Sequence, residues 1–123
     1  MKRALLDTSF ILSCVREKVD FFDRLESMGY GIVVPTNVLK ELQRLVDSTK
    51  SMKLRNEAEL ALKILKTEKY ESLEASGKYV DSAIVNYLKE NKDYVLATVD
   101  KELKKKIKNQ KIVLRAKKKL ELI

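Results

Sequence analysis

Four carboxylates are this chain's candidates for chemistry: Asp7, Glu41, Asp81 and Asp100. Asp7 closes the apolar run Ala4-Leu5-Leu6, and Asp100 closes Val95-Leu96-Ala97-Thr98-Val99. Asp81 opens a helical run from Tyr79 to Glu90, and Glu41 lies early in the helix after Ile32-Val33-Val34-Pro35. If the apolar runs are neighbouring parallel strands, all four acids gather at one edge of one sheet. Grouped carboxylates raise one another's pKa unless a cation offsets them. Oxygen-only ligands select hard cations, Mg2+ or Mn2+, one ion or two. The chain has no histidine and one cysteine, Cys14. That excludes Ser-His-Asp and Cys-His nucleophiles, histidine-ligated zinc and an internal disulfide. Carboxylates, lysines and metal-activated water remain for acid–base work.

Each acid also has a bland role. Asp7 and Asp100 precede helices and read as N-caps. At about 100° per residue, Glu41 lies on the side of Val38 and Leu45, just past the apolar stripe, where boundary glutamates are common. Asp81 falls between Leu88 and Val85 on its helical wheel, inside the apolar arc, and is expected to face inward. Glu102 and Asp47 are expected to face solvent. The common placement of the four at one sheet edge favours a site over four separate accidents.

The elements that must position them follow from periodicity. Strands are expected at Arg3 to Leu6, Ile32 to Val34, Tyr70 to Leu73, Tyr94 to Val99 and Ile112 to Arg115. Helices are expected at Thr8 to Arg16, Phe21 to Met28, Thr36 to Asp47, Leu54 to Lys66, Tyr79 to Glu90 and Lys101 to Lys108. Met28-Gly29-Tyr30-Gly31 reads as a helix stop and turn, Ala75-Ser76-Gly77-Lys78 as a loop. The tail Ala116 to Ile123 suits an edge strand or a short helix. Continuous apolar strands alternating with helices predict an α/β fold: a three-layer α/β/α sandwich around a mainly parallel sheet of about five strands. Right-handed crossovers bring every strand's C-terminal end to one edge, where open α/β sheets bind ligands. At 123 residues the chain is expected to form a single domain, residues 1–123.

The net charge of +8 is unevenly placed. Residues 101–119 hold ten lysines and arginines against Glu102 alone, so the rest of the chain is near neutral. A basic segment that starts one residue after Asp100 suits a polyanion such as RNA; a lysine-rich solvated surface is the alternative. No apolar stretch approaches the roughly 20 residues of a membrane span. No signal-peptide pattern follows Met1-Lys2-Arg3, and a cytoplasmic protein is expected. Cys14, among Phe10, Ile11, Leu12 and Val15, reads as a small buried hydrophobe.

The pattern resembles the PIN domain family, over residues 3 to about 115. The resemblance rests on Leu6-Asp7-Thr8-Ser9, on Val34 to Leu42 with Glu41, on Val80-Asp81-Ser82-Ala83-Ile84, and on Thr98-Val99-Asp100. Pro35 to Leu45 and Asp100 to Ile107 look most like the archaeal and eukaryotic branch tied to small-subunit ribosomal RNA processing, and less like the toxin branch. The resemblance implies a metal-dependent endoribonuclease leaving 5′-phosphate and 3′-hydroxyl ends. It places Asp7 and Asp100 nearest a first Mg2+ or Mn2+, and Glu41 and Asp81 at a second or at its waters. Thr8, Ser9 and Thr98 would orient the carboxylates, and Lys101, Lys104, Lys105 and Lys106 would contact the RNA backbone. It also implies ribosome-assembly proteins and a second copy of the chain as partners.

Other readings stay open. One is the toxin branch, a PIN ribonuclease held by an antitoxin; another is a scaffold that binds RNA without cutting it. Phosphotransfer on a similar sheet fits less well. A haloacid-dehalogenase-type phosphatase wants an aspartate where Ser9 stands, and a response-regulator receiver wants one after the third strand, where Glu74-Ala75-Ser76 stands.

Overall fold

The computed structural model describes residues 2–74 and 80–123. The expected loop at Ala75-Ser76-Gly77-Lys78, and Tyr79, lie outside the described residues. In chain order the elements are β1 (Lys2–Leu6), α1 (Thr8–Arg16), α2 (Phe21–Ser27), β2 (Tyr30–Pro35), α3 (Thr36–Ser48), α4 (Met52–Thr67) and β3 (Glu71–Leu73). Then come α5 (Val80–Glu90), β4 (Val95–Ala97), α6 (Lys101–Lys105), β5 (Lys111–Arg115), a 3-10 turn (Ala116–Lys118) and β6 (Lys119–Leu122).

Among the described residues the sheet has six strands in the order β3-β2-β1-β4-β5-β6. The first five are parallel, and β6 runs antiparallel to β5, with Leu114 opposite Leu120. The sixth strand is the edge strand that was left open for the tail. The tail makes both structures left open for it, a 3-10 turn and then an edge strand.

Alternation along each strand feeds two apolar layers, as side chains of successive strand residues point to opposite faces. Ala4, Leu6, Val95 and Ala97 pack with α1 to α4 on one face. Leu5 and Leu96, paired in register, pack with Ile84, Leu88, Leu103 and Ile107 on the other. That is the three-layer sandwich. Phe10 meets Phe21 edge to face at 6.2 Å and anchors the larger layer. Helix α2 ends where Gly29, at φ 91°, turns the chain out through a bond from its N–H to Glu26 O. Helix α6 stops at Lys105, short of the expected Lys108; the chain turns at Lys106 and buries Ile107 under α5.

The connections fix the functional edge. From β1 the chain crosses to β2 and then β3 on one side, and returns through α5 to β4 on the other side of β1. The order reverses between β1 and β4, and the crevice beyond their C-terminal ends is the switch point of this sheet. Asp7 directly follows β1, and Thr98 and Asp100 follow β4.

Candidate active site

Asp7 is 3% exposed and caps α1: Oδ1 accepts the Phe10 N–H at 2.8 Å. The Ser9 hydroxyl lies 3.0 Å from both carboxylate oxygens. Thr98, fully buried, donates its hydroxyl to Oδ2 at 2.5 Å. Burial pushes the Asp7 carboxyl up to about 6, against the pull of the Thr98, Phe10 and Ser9 hydrogen bonds; Asp81 adds a further upward push.

Asp100 caps α6 through Oδ1, which accepts the N–H groups of Glu102 at 2.9 Å and Leu103 at 3.2 Å. Its Oδ2 takes no hydrogen bond among the described residues. Its own N–H donates to Thr98 Oγ1 at 3.0 Å. Asp7 and Asp100 therefore are N-caps, as their bland role foresaw, and are also joined through one threonine.

The charge of Asp81 reaches the other three acids. Its carboxyl is raised by partial burial and then by Asp100, with a smaller contribution from Glu41; Lys106 pulls the other way. The inward orientation expected for Asp81 is corrected, since the residue is exposed. Val85, which bounded the predicted apolar arc, is only half-buried, so the buried stripe ends at Leu88 and leaves Asp81 outside it. Val80, one residue earlier, packs against both apolar layers at this edge. Glu41 is half-buried on α3, beside the buried Leu42, and α3 touches α5.

Of the three hydroxyls expected to orient carboxylates, Ser9 and Thr98 bond Asp7. Thr8 does not: its buried Oγ1 has no hydrogen-bond partner among the described residues, and neither has Oδ1 of Asn37 in the first turn of α3. Sequence reasoning passed over Asn37. Its signal was its place, two residues past a strand end. The four lysines diverge. Lys106 faces Asp81, Lys105 leans toward Glu102 at 3.6 Å on the open surface, and Lys104 lies near Lys111. Lys101 is exposed.

The donors suit a hard cation in type: carboxylates in excess around Asp81 and, at the same edge, two buried oxygens without a hydrogen-bond partner among the described residues. Among the described residues, however, no three acidic side chains converge closely enough to hold one ion directly. The arrangement fits an ion bound by one or two carboxylates with water filling the rest, the mode Mg2+ commonly takes.

Comparison with known proteins bears on the family and the fold. The family described as "PIN like domain" matches residues 4–117. Ribonuclease VapC4 of Methanocaldococcus jannaschii is 32% identical over 99% of this chain and 97% of its own length. The rRNA-processing protein fcf1 of Schizosaccharomyces pombe is 34% identical over 85% of this chain, which spans only 52% of the yeast protein. The solved structure of the PIN domain endonuclease Utp24 superposes with a TM-score of 0.79 at 29% identity, covering 98% of this chain and 90% of that one.

Proposed function

We propose, on the premise that this chain belongs to the PIN-like domain family, that it is a metal-dependent endoribonuclease acting in ribosomal RNA processing. The observation that carries the reading is the place of Asp81. It shares a depression with Lys106 and stands within electrostatic reach of Asp100, Glu41 and the buried Asp7 at the switch point of the sheet. The likeness to the yeast rRNA-processing protein and to the Utp24 structure supports the target class. Ribosome-assembly proteins and a second copy of the chain are its proposed partners. Among the described residues no helix is long and apolar enough to cross a membrane.

The proposed site is Asp7, Glu41, Asp81 and Asp100. A bound Mg2+ or Mn2+ supplies an acidified water and positive charge for the phosphate oxygens. The chain's own residues do the positioning. Ser9 and Thr98 hold the Asp7 carboxylate in one orientation, and Thr98 ties it to the backbone of Asp100. Oδ2 of Asp100, which takes no hydrogen bond among the described residues, and the exposed Asp81 carboxylate would be the groups offered to a ligand. Lys106, beside Asp81, gives a scissile phosphate a positive neighbour, and Lys101, Lys104 and Lys105 serve the RNA backbone with little base preference.

The test is cleavage of labelled single-stranded RNA containing structured segments, wild type beside Asp7→Asn, with Mn2+ and with EDTA. Metal-dependent cleavage lost in the variant is expected. RNA binding without cleavage in every lane would replace the enzyme with a non-cleaving scaffold.

A second target class has one observation in its favour. The archaeal ribonuclease aligns along nearly its whole length, whereas the yeast relative has as much chain again outside the match. On that reading the same chemistry is held by a protein inhibitor, as in the toxin branch, and messenger or transfer RNA is cut in preference to ribosomal precursor.

A further inference from the structure

A groove of about 450 Å³ runs between the end of α5 and the chain that leaves α6. Lys89 and Lys92 stand on one wall, Lys106 and Lys108 on the other, and Leu88 and Ile107 lie in its floor. No carboxylate lines it. No acid among the described residues pairs with Lys89, Lys92 or Lys108. A second, smaller depression contains Asp81 and shares Val85 and Lys106 with the groove, so the two adjoin. The groove thus extends away from the acidic edge, with Lys106 between Asp81 and the other three lysines.

Four like charges lining one groove repel one another and are tolerated where a polyanion neutralises them. The groove has the volume of a small-ligand cleft, room for a few phosphates of one strand and not for a duplex. No aromatic ring lines it, so it offers backbone contacts without base stacking.

We propose that this groove holds the phosphodiester backbone of a single RNA strand on one side of a scissile phosphate seated at Asp81. The inference rests on the ribonuclease reading and adds Lys89, Lys92 and Lys108, which lie outside the acidic site and outside α6.

The test is fluorescence anisotropy of labelled oligouridylate with EDTA present, from low to physiological salt, for wild type and the triple variant Lys89→Gln, Lys92→Gln, Lys108→Gln. Three lost phosphate contacts lower the slope of log affinity against log salt by about 2, and weaken binding on the order of a hundredfold at low salt. An unchanged slope overturns the proposal. So does unchanged RNA affinity with loss of polyglutamate binding, which would make the groove a seat for an acidic protein segment. A thermal melt checks the fold, and Lys92→Gln alone, with an expected slope change of about 0.7, serves if the triple variant unfolds. Wild type that binds with the full slope but cleaves nothing in Mn2+ sinks the enzyme reading and leaves the groove standing. A triple variant that keeps the slope while wild type cleaves does the reverse.

Discussion

The Thr98 hydroxyl donates to Oδ2 of Asp7, across from β4 to β1, and Thr98 Oγ1 itself accepts the backbone N–H of Asp100. One side chain thus sets both the orientation of a buried carboxylate and the start of the helix that carries the next acid.

Thr98→Val keeps the shape and removes both bonds. It leaves an N–H without its partner and a carboxylate with one donor fewer, costing about 1–3 kcal/mol of stability. The Thr98 bond is the largest of those holding the Asp7 carboxyl down, so its loss moves that group further up. The acid limb of the cleavage profile should shift to higher pH, and Thr98→Ser should restore it. A profile unmoved in Thr98→Val would separate Asp7 from the reaction.

Burial raises Asp7 from its ordinary 3.8 to about 6, which makes its charge a cost to the fold. Between those values the folded chain keeps a proton that the unfolded chain has lost. Its contribution to stability is therefore full below about pH 4 and lost as pH rises through about 6. Asp7→Asn keeps the cap, because asparagine also accepts the Phe10 N–H. The variant should be more stable than wild type near pH 7, on the order of 2 kcal/mol in urea denaturation, with the difference vanishing in acid. Mn2+ should raise the melting temperature of wild type and not of the variant, by mass action. A variant less stable than wild type at neutral pH would contradict the buried charge.

Glu57 is an acid of another kind. It is 8% exposed on α4 and receives two bonds from Arg16 of α1, at 3.0 and 2.9 Å. The Arg16 hydrogen bond holds its carboxyl below the usual range, so its stabilisation is present at neutral pH and lost as pH falls through the folded value. Arg16 is nearly half exposed, so the pair is worth only about 1 kcal/mol. Glu57→Gln should lower the melting temperature modestly near neutrality, with a smaller deficit in acid, and leave cleavage intact. Lost cleavage would draw this pair into the site.

The sandwich was legible because buried parallel strands are written as continuous apolar runs, such as Ala4-Leu5-Leu6 and Val95-Leu96-Ala97. The sixth strand was ambiguous because the reversal into it is made by Lys118 at φ 60°, with no glycine or proline to mark it. The acids at strand ends were legible because a carboxylate after an apolar run has few places to go. The orientation of Asp81 was not. A helical wheel gives angle but not depth, and Val85 at the rim of the arc is only half-covered. Thr8 and Thr98 looked alike beside their strands, yet Thr98 bonds Asp7 and the Thr8 hydroxyl has no partner among the described residues. That difference depends on which strands are neighbours.

The basic segment reads as one patch in sequence but not in space, and this yields a discriminating pair of substitutions. Lys106 lies beside Asp81 and lowers its carboxyl, opposing Asp100 and Glu41. Lys105 and Glu102 form a pair in which both side chains are 75% exposed, a geometry worth little. Lys106→Gln removes a cation beside Asp81. Asp81 should then titrate higher, and the acid limb of cleavage should move up with it. The KM for RNA should rise several-fold, since a phosphate loses its neighbour at the site. Lys105→Gln should leave the pH profile in place and change KM by less. Both constants are read from initial rates across pH at fixed salt. Equal effects of the two substitutions would mean that the lysines act as a diffuse field, and that Lys106 has no particular place at the acids.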